Sequence, residues 1–354
     1  MDKRRLSVNG LFDIIRVVVA MLIAVAITVV IIFAVSKEPG TALFNLFIGP
    51  FLTKRHFFDI VQSAIPLMFT GCALAMIFKS GNFSLIGDAS LYLGGVTTAA
   101  LAVFVHLPPV IHPLFIIVAA GIVGAAIGAI PAILKVRYGA NELVTSLMLN
   151  FVFDAFGVFI INTFLADRNA GTFASLKYDK SAGLGNMLSG TRLHWGLLVA
   201  LGIVVLSYLI MERSTLGYKI KACGSNLTFA KHAGINTGMT IILAQVIGGA
   251  ICGIGGATEQ LGMFTRFIWA DSPSYVWDGV IVTILARNNP KNIPLSAFFL
   301  AYLRIGADLM SRRSDVQNEL VAVIQAIIIL FVTAESFLAG MKQHMESRQA
   351  LAVK

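Results

Sequence analysis

Long runs of apolar residues, broken by short polar stops, repeat along the chain from position 17 to position 338. Crossing the hydrocarbon core of a bilayer takes about 20 mostly apolar residues in helical form, and about ten runs approach or reach that length. They lie at 17–35, 58–78, 89–105, 112–134, 143–165, 193–211, 240–261, 276–286, 293–305 and 320–338. The eighth and ninth are too short to cross alone. A polar stretch, 166–192, separates the fifth run from the sixth, and another, 212–238, follows the sixth. The pattern predicts an all-α polytopic membrane protein: one transmembrane domain over 1–354, with a first half at about 17–165 and a second at about 193–338. Five spans per half invert the second half relative to the first. Gly-interrupted segments in corresponding places of two such halves point to broken or re-entrant helices.

Composition strengthens this picture. The chain has 354 residues, 57% of them hydrophobic and 13% charged, against about 25% charged in a soluble domain. The first run follows Lys3, Arg4, Arg5 and Arg16. A signal peptide would carry an apolar core of only about 7–15 residues, so the run reads as an uncleaved first span with a cytoplasmic N-terminus. On that layout the C-terminus is also cytoplasmic, and more of the 27 Lys and Arg fall inside than outside, the bias membrane insertion favours. The net charge of +9 therefore needs no nucleic acid, and no basic stripe interleaved with aromatics supports one. The expected surroundings are membrane lipid. Cys72, Cys223 and Cys252 have neither disulfide-framework nor zinc spacing.

The candidate chemistry sits where the apolar pattern stops. Ile86-Gly87-Asp88 precedes the third run, and Trp277-Asp278-Gly279 opens the eighth. Irregular backbone at membrane depth is tolerated only where protein or a water-filled cavity lines it, so both segments are candidates for a translocation path; the alternative is a pair of ordinary loop carboxylates. Asp154 lies 12 positions beyond Glu142, about 18 Å along a helix. Intramembrane acids face a cavity or a partner, and Asn150, four residues earlier, shares its helix face. That pair suits either a hydroxylated solute or a helix–helix hydrogen bond. Gln245 and Gln325 read as interhelical hydrogen bonds. In the 212–238 loop, Ser225 or Asn226 is a suitable N-cap and Gly234 a suitable left-handed terminator. They bracket a short helix with Leu227, Phe229 and Ala230 available for docking and Lys231 and His232 exposed.

That loop resembles the coupling motif of permeases of ATP-binding-cassette importers of the branched-chain amino acid, simple sugar and nucleoside group, approximately T-x-G-x-x-x-(R/K)-A-x-G-x-N-x-x-A-A-x-x-A-G-I. Thr215, Gly217, Lys221, Ala222, Gly224, Asn226, Ala230, Ala233, Gly234 and Ile235 match, while Phe229 departs from the usual Ala. Gly139-Ala140-Asn141-Glu142, with Met148-Leu149-Asn150, is similar to the G-A-N-E…M-L-N stretch of nucleoside permeases. Trp277-Asp278-Gly279-Val280-Ile281-Val282 and Arg287-Asn288-Asn289-Pro290 are similar to their F-D-G-I-A-V…R-N-x-P stretch. Where those permeases have F-N-I-G-A-E-G-Q, this chain has Phe83-Ser84-Leu85-Ile86-Gly87-Asp88-Ala89-Ser90. Asp88 keeps the acid, but Ser84 and Ser90 replace amides, which leaves a simple sugar or a riboflavin-like vitamin as alternatives to a nucleoside.

The resemblance implies a bacterial cytoplasmic-membrane permease subunit with no cofactor of its own. It implies a path lined by Ser84, Asp88, Ser90, Asn141, Asn150, Trp277 and Asp278, to which its depth in the span adds Asp154, where the family usually has an apolar residue, and a coupling surface of Gly217, Lys221, Ala222, Gly224, Asn226, Leu227, Phe229, Ala230 and Gly234. A partner ATPase would hold ATP and Mg, since this chain lacks a G-x-x-x-x-G-K-[ST] phosphate loop. A second, homologous permease chain and an extracytoplasmic substrate-binding protein or lipoprotein would complete the assembly. The rival from another class is an ion-coupled secondary transporter using Asp154. An enzyme is disfavoured, because no paired acids, metal cluster or Ser–His–acid set converges.

Overall fold

A computed structural model of the chain describes residues 26–34 and 36–316, together with positions 323, 326, 327 and 330. Among these residues the structure is helical, and the only β pairings are two isolated bridges, Ala166 with Ser175 and Asn186 with His194. The helices are α1 (Pro39–Phe47), α2 (Lys54–Lys79), α3 (Gly87–Phe104), α4 (Ile111–Tyr138), α5 (Glu142–Ile160), α6 (Gly196–Arg213), α7 (Thr215–Ser225), α8 (Leu227–His232), α9 (Thr237–Met263), α10 (Tyr275–Leu285) and α11 (Ile293–Arg313). A π-helical turn, Ile161–Leu165, prolongs α5, and a 3-10 turn, Pro290–Asn292, leads into α11.

Among the described residues, seven stretches are long and apolar enough to cross a membrane: Lys54–Lys79, Gly87–Phe104, Ile111–Tyr138, Glu142–Leu165, Gly196–Arg213, Thr237–Met263 and Pro290–Arg313. They coincide with the second to seventh and the ninth apolar runs. The ninth corrects the sequence reading, for it spans 24 residues rather than stopping near 305. Its apolar run ends at charged residues, but the helix continues through them, with Arg312 Nε donating to Asp308 Oδ1 at 2.9 Å, one turn away. The eighth run stays short, at 11 residues. Most of the first run and all but four positions of the tenth, including Gln325, lie outside the described residues.

Local chemistry sets the helix ends. Asn141, Ser214, Asn226 and Asn236 cap α5, α7, α8 and α9, each accepting backbone N–H groups of the first turn. Gly139 (φ 70) ends α4 in the left-handed conformation, its amide bonded to Lys135 O at 2.9 Å. Pro66 and Pro131 stand inside α2 and α4, and the Thr70 hydroxyl donates to the Pro66 carbonyl at 3.1 Å.

The described residues form two compact units. One comprises those up to Ile60 and from Phe299 onward, with a core of Ile32, Ala42, Leu46, Leu303, Ala307, Met310 and Val316. There Asp315 accepts from the Ser36 hydroxyl at 2.5 Å and the Lys37 amide at 2.6 Å. The other, Val61–Phe298, is built around α9. Small residues let α9 approach its neighbours at backbone distance. A Cβ on Gly124 or Gly128 of α4 would strike the carbonyl of Gly249 or Gln245, and one on Gly256 would strike Leu91 O of α3. Gln245 itself is buried, and neither of its amide atoms has a hydrogen-bond partner among the described residues; the interhelical bond expected of it is not formed there.

Candidate functional site

Two helices of the Val61–Phe298 unit begin inside the bundle. From Lys79 at the end of α2, residues 80–86 turn back into the protein before α3 starts at Gly87. The depth of that start is set by α5. Asn150, buried and eight residues beyond Glu142 (about 12 Å along the helix), donates from Nδ2 to Leu85 O at 3.0 Å and accepts from the Ala89 amide at 3.2 Å. Ser146, one turn earlier, accepts the Leu85 amide at 3.1 Å. The second start is that of α10, whose Gly279 packs on Thr70 in α2 and whose Thr283 donates to Gly71 O at 3.0 Å. At 11 residues, α10 is about 17 Å long, half of what a span needs.

The two starts meet. A Cβ on Gly87 would lie 3.6 Å from the Val276 side chain and 2.9 Å from the Cys252 sulfur of α9. Asp88, in the first turn of α3, accepts from the Ser272 hydroxyl at 2.9 Å. Asp278, in the first turn of α10, is likewise buried. Helix N-termini carry partial positive charge and unsatisfied N–H groups, which explains why a carboxylate occupies each first turn. Asp154 is half-buried, with Oδ1 lacking a hydrogen-bond partner among the described residues, and it lies close enough to Asp88 and Asp271 for mutual repulsion. Beside these acids stands an aromatic group. Trp269 packs edge-on against Phe264, Phe267 and Tyr275 with ring centroids 5.7–6.4 Å apart, and Tyr92 donates to the Trp269 carbonyl at 3.2 Å.

The expected path residues are thus dispersed in part. Asp88, Asn150 and Asp154 come together, but Asn150 has both polar atoms engaged by the α3 backbone. Ser90 donates to Ile86 O and Gly124 O at 3.1 and 3.2 Å, a bond between helices. Ser84 is fully buried, its hydroxyl without a partner among the described residues. Asn141 is exposed and spends its side-chain oxygen capping α5. Trp277 is 51% exposed, between buried Val276 and Asp278.

Sequence reasoning passed over Ser272, Asp271, Trp269 and Glu259. Glu259 is buried in α9, where Oε1 accepts from Gln62 Nε2 and from the Tyr275 hydroxyl, both at 3.3 Å. An acid inside an apolar span is a legible signal, and position 259 carried it. Ser272 and Asp271 carried none, because a loop's approach to a distant helix start leaves no periodic trace.

The 212–238 loop folds as α7 and α8. Gly217 permits the sharp turn after α6, since a Cβ there would strike the carbonyls of Ile210 and Met211. Lys221 pairs with Glu212 at 2.7 Å. Asn226 is the cap of α8, its oxygen accepting the Phe229 amide at 2.9 Å. Gly234 is left-handed (φ 80), with the Ile235 amide bonded to Ala230 O at 3.0 Å. Leu227 and Phe229 are exposed, whereas Ala230 is fully buried and belongs to the helix's own packing rather than to an outer surface.

Residues 56–333 match the family described as the branched-chain amino acid transport system permease component. The chain belongs to that family. This permease is 29% identical to a glucose ABC transporter permease of Haloferax volcanii over 90% of its own length and 87% of the relative's. It is 29% identical to a guanosine ABC transporter permease of Bacillus subtilis, covering 89% and 92% of the two chains. A further relative, 23% identical over 90% of this permease and 84% of its own chain, is described as a probable riboflavin import permease of Treponema pallidum. The acids and broken helices described above therefore lie in a transport protein, and catalytic roles for them are not required.

Proposed function

We propose that this permease forms, with a second homologous chain, the translocation path of an ATP-binding-cassette importer for a nucleoside or related hydroxylated solute. The observation that carries the reading is the meeting of two helix starts, that of α3 at Gly87 and that of the short α10 at Val276. Transporters place substrate where discontinuous helices converge, and the carboxylates of Asp88, Asp154 and Asp278 supply hydrogen-bond acceptors there. Such a lining favours an uncharged solute rich in O–H and N–H donors, with the Trp269 aromatic group available to a flat ring. In this reading Ser84 joins the lining, and Asn150 and Ser90 hold its shape.

The same reading makes the domain an inverted pair of halves, about 17–165 and 193–338, in a bacterial cytoplasmic membrane with both termini inside. The exposed side chains of Leu227 and Phe229 would dock a separate ATPase that holds ATP and Mg. An extracytoplasmic binding protein would deliver the solute. The guanosine, glucose and riboflavin relatives define the panel to test. Proteoliposomes holding this permease, its second chain, the ATPase and the binding protein should take up labelled guanosine in an ATP-dependent manner, more readily than glucose or riboflavin. Uptake driven by a proton or sodium gradient without ATP would sink the importer reading, and a preference for glucose or riboflavin would reassign the solute.

A further inference from the structure

The stretch 80–86 links α7 to the first turn of α3 through a continuous series of contacts. At one end Gly81 is left-handed (φ 81), and a Cβ added to it would lie 3.1 Å from the Gly224 α-carbon of α7. A Cβ on Gly224 would in turn strike the Lys79 carbonyl. The backbones of α7 and of this turn are therefore in direct contact. At the other end, Ser146 and Asn150 of α5 grip Leu85 and Ala89. Between the two ends lies a charged clasp. Asn82 is 2% exposed; its Nδ2 donates to the Ser80 hydroxyl at 2.8 Å, and its Oδ1 accepts from Lys135 Nζ. Lys135 donates a second time, to Glu142 Oε1 at 2.7 Å, and the same oxygen accepts the Phe83 amide at 3.4 Å.

Lys135 belongs to the last turn of α4 and Glu142 to the first turn of α5. Each suits its helix end by charge, so a purely local role in the α4–α5 turn is the simpler account. That account does not explain why both side chains reach beyond the turn to residues 82 and 83. Their side chains are only 26% and 17% exposed, which limits screening of the pair by salt. Charge-assisted bonds of this kind are roughly twice as strong as neutral ones.

We propose that Lys135 and Glu142 are positioning residues, which hold residues 82–83 so that displacement of α7 is carried to the first turn of α3 instead of being absorbed by a flexible loop. The transmission part rests on the reading that α7 and α8 receive an ATPase; the positioning part does not.

The test is amide hydrogen exchange of the full-length permease in lipid nanodiscs, for the wild type and for Glu142→Gln, Lys135→Met and Asn82→Ala. Glu142→Gln weakens the clasp by removing one charge, Asn82→Ala removes one Lys135 contact and Lys135→Met removes both; each should speed exchange at residues 83–90 about tenfold or more, with α9 unchanged as the control for folding. Lys135→Arg, which keeps the charge, should restore most of the protection. Acceleration confined to the α4–α5 turn, with 83–90 unaffected, would overturn the proposal in favour of the local role. In a second arm the second permease chain and the ATPase are added, with and without ATP. The wild type should show a nucleotide-dependent change at 83–90, and Glu142→Gln should lose it while still binding the ATPase. If Glu142→Gln keeps that change, transmission through the clasp is wrong. If the wild type binds no ATPase, the importer reading fails and the first arm still decides the positioning role.

Discussion

The hydroxyl of Ser272 donates to Oδ1 of Asp88 at 2.9 Å, although 184 positions separate the two residues. This bond ties the segment leading into α10 to the first turn of α3, and so connects the two helices at their starts. Ser272→Ala removes it without adding bulk. A hydrogen bond to a charged group is worth about 1.5–3 kcal/mol. Uptake by the assembled importer should therefore fall about tenfold or more, while the melting temperature of the purified chain drops by only a few degrees. Unchanged uptake would show that the two starts need no direct bond.

Asn150 serves the same region from the side. Its amide satisfies one carbonyl and one N–H at the break before α3. Replacing it with Leu strands both groups in a buried setting, at a cost of about 1–3 kcal/mol each. Asn150→Leu should lower thermal stability in detergent measurably, whereas Asn150→Gln, which keeps both the donor and the acceptor on a longer side chain, should lose less. Equal losses would place the cost in packing rather than in hydrogen bonding.

Asp154 presents the opposite case. Its Oδ1 has no hydrogen-bond partner among the described residues, so a conservative change breaks no bond to that atom. Asp154→Asn should insert and melt as the wild type does, yet take up solute several-fold more slowly if this acid faces the path. Wild-type uptake would remove Asp154 from the path.

His194 supplies a pH signature outside the spans. It is buried just before α6; its Nδ1 accepts the Gly196 amide at 3.2 Å, and burial pushes its pKa down to about 4. The unfolded chain protonates this imidazole below about pH 6.5, whereas the folded chain resists until about pH 4. The unfolded state thus binds the extra proton across that window, and stability falls as pH is lowered through it. Melting curves recorded between pH 7 and pH 4 should show this acid sensitivity reduced in His194→Gln. An identical pH dependence in the variant would assign it to other groups.

The short helix α8 offers a direct test of docking. Because Ala230 is buried, a charged residue there would disturb the loop's own packing. Of the two exposed apolar residues of α8, Phe229 is the more exposed, at 66% against 49% for Leu227. Phe229→Glu should leave melting of the isolated chain unchanged and abolish stimulation of the partner ATPase. Full stimulation in that variant would remove Phe229 from the docking surface.

What could be read from the chain alone was what local chemistry controls. Apolar runs gave the spans at 58–78 and 240–261 because lipid demands about 20 apolar residues whatever the neighbours are. Capping by Asn226 and termination at Gly234 were legible because both act within one helical turn. The Gly–acid interruptions at Gly87 and Gly279 marked where helices break. Tertiary structure decided which breaks meet and which polar groups are already spent. Asn150 and Ser90 looked like solute ligands but are consumed by backbone partners, and Ala230 looked available but is buried. Ser272 looked like a loop residue, yet it is bonded to Asp88 at the start of α3. Hydrogen-bond partners far apart in the chain are chosen by how helices pack; the spacing of Gly121, Gly124 and Gly128 marks a face for close backbone approach, but only packing decides that α9 is the helix that meets it.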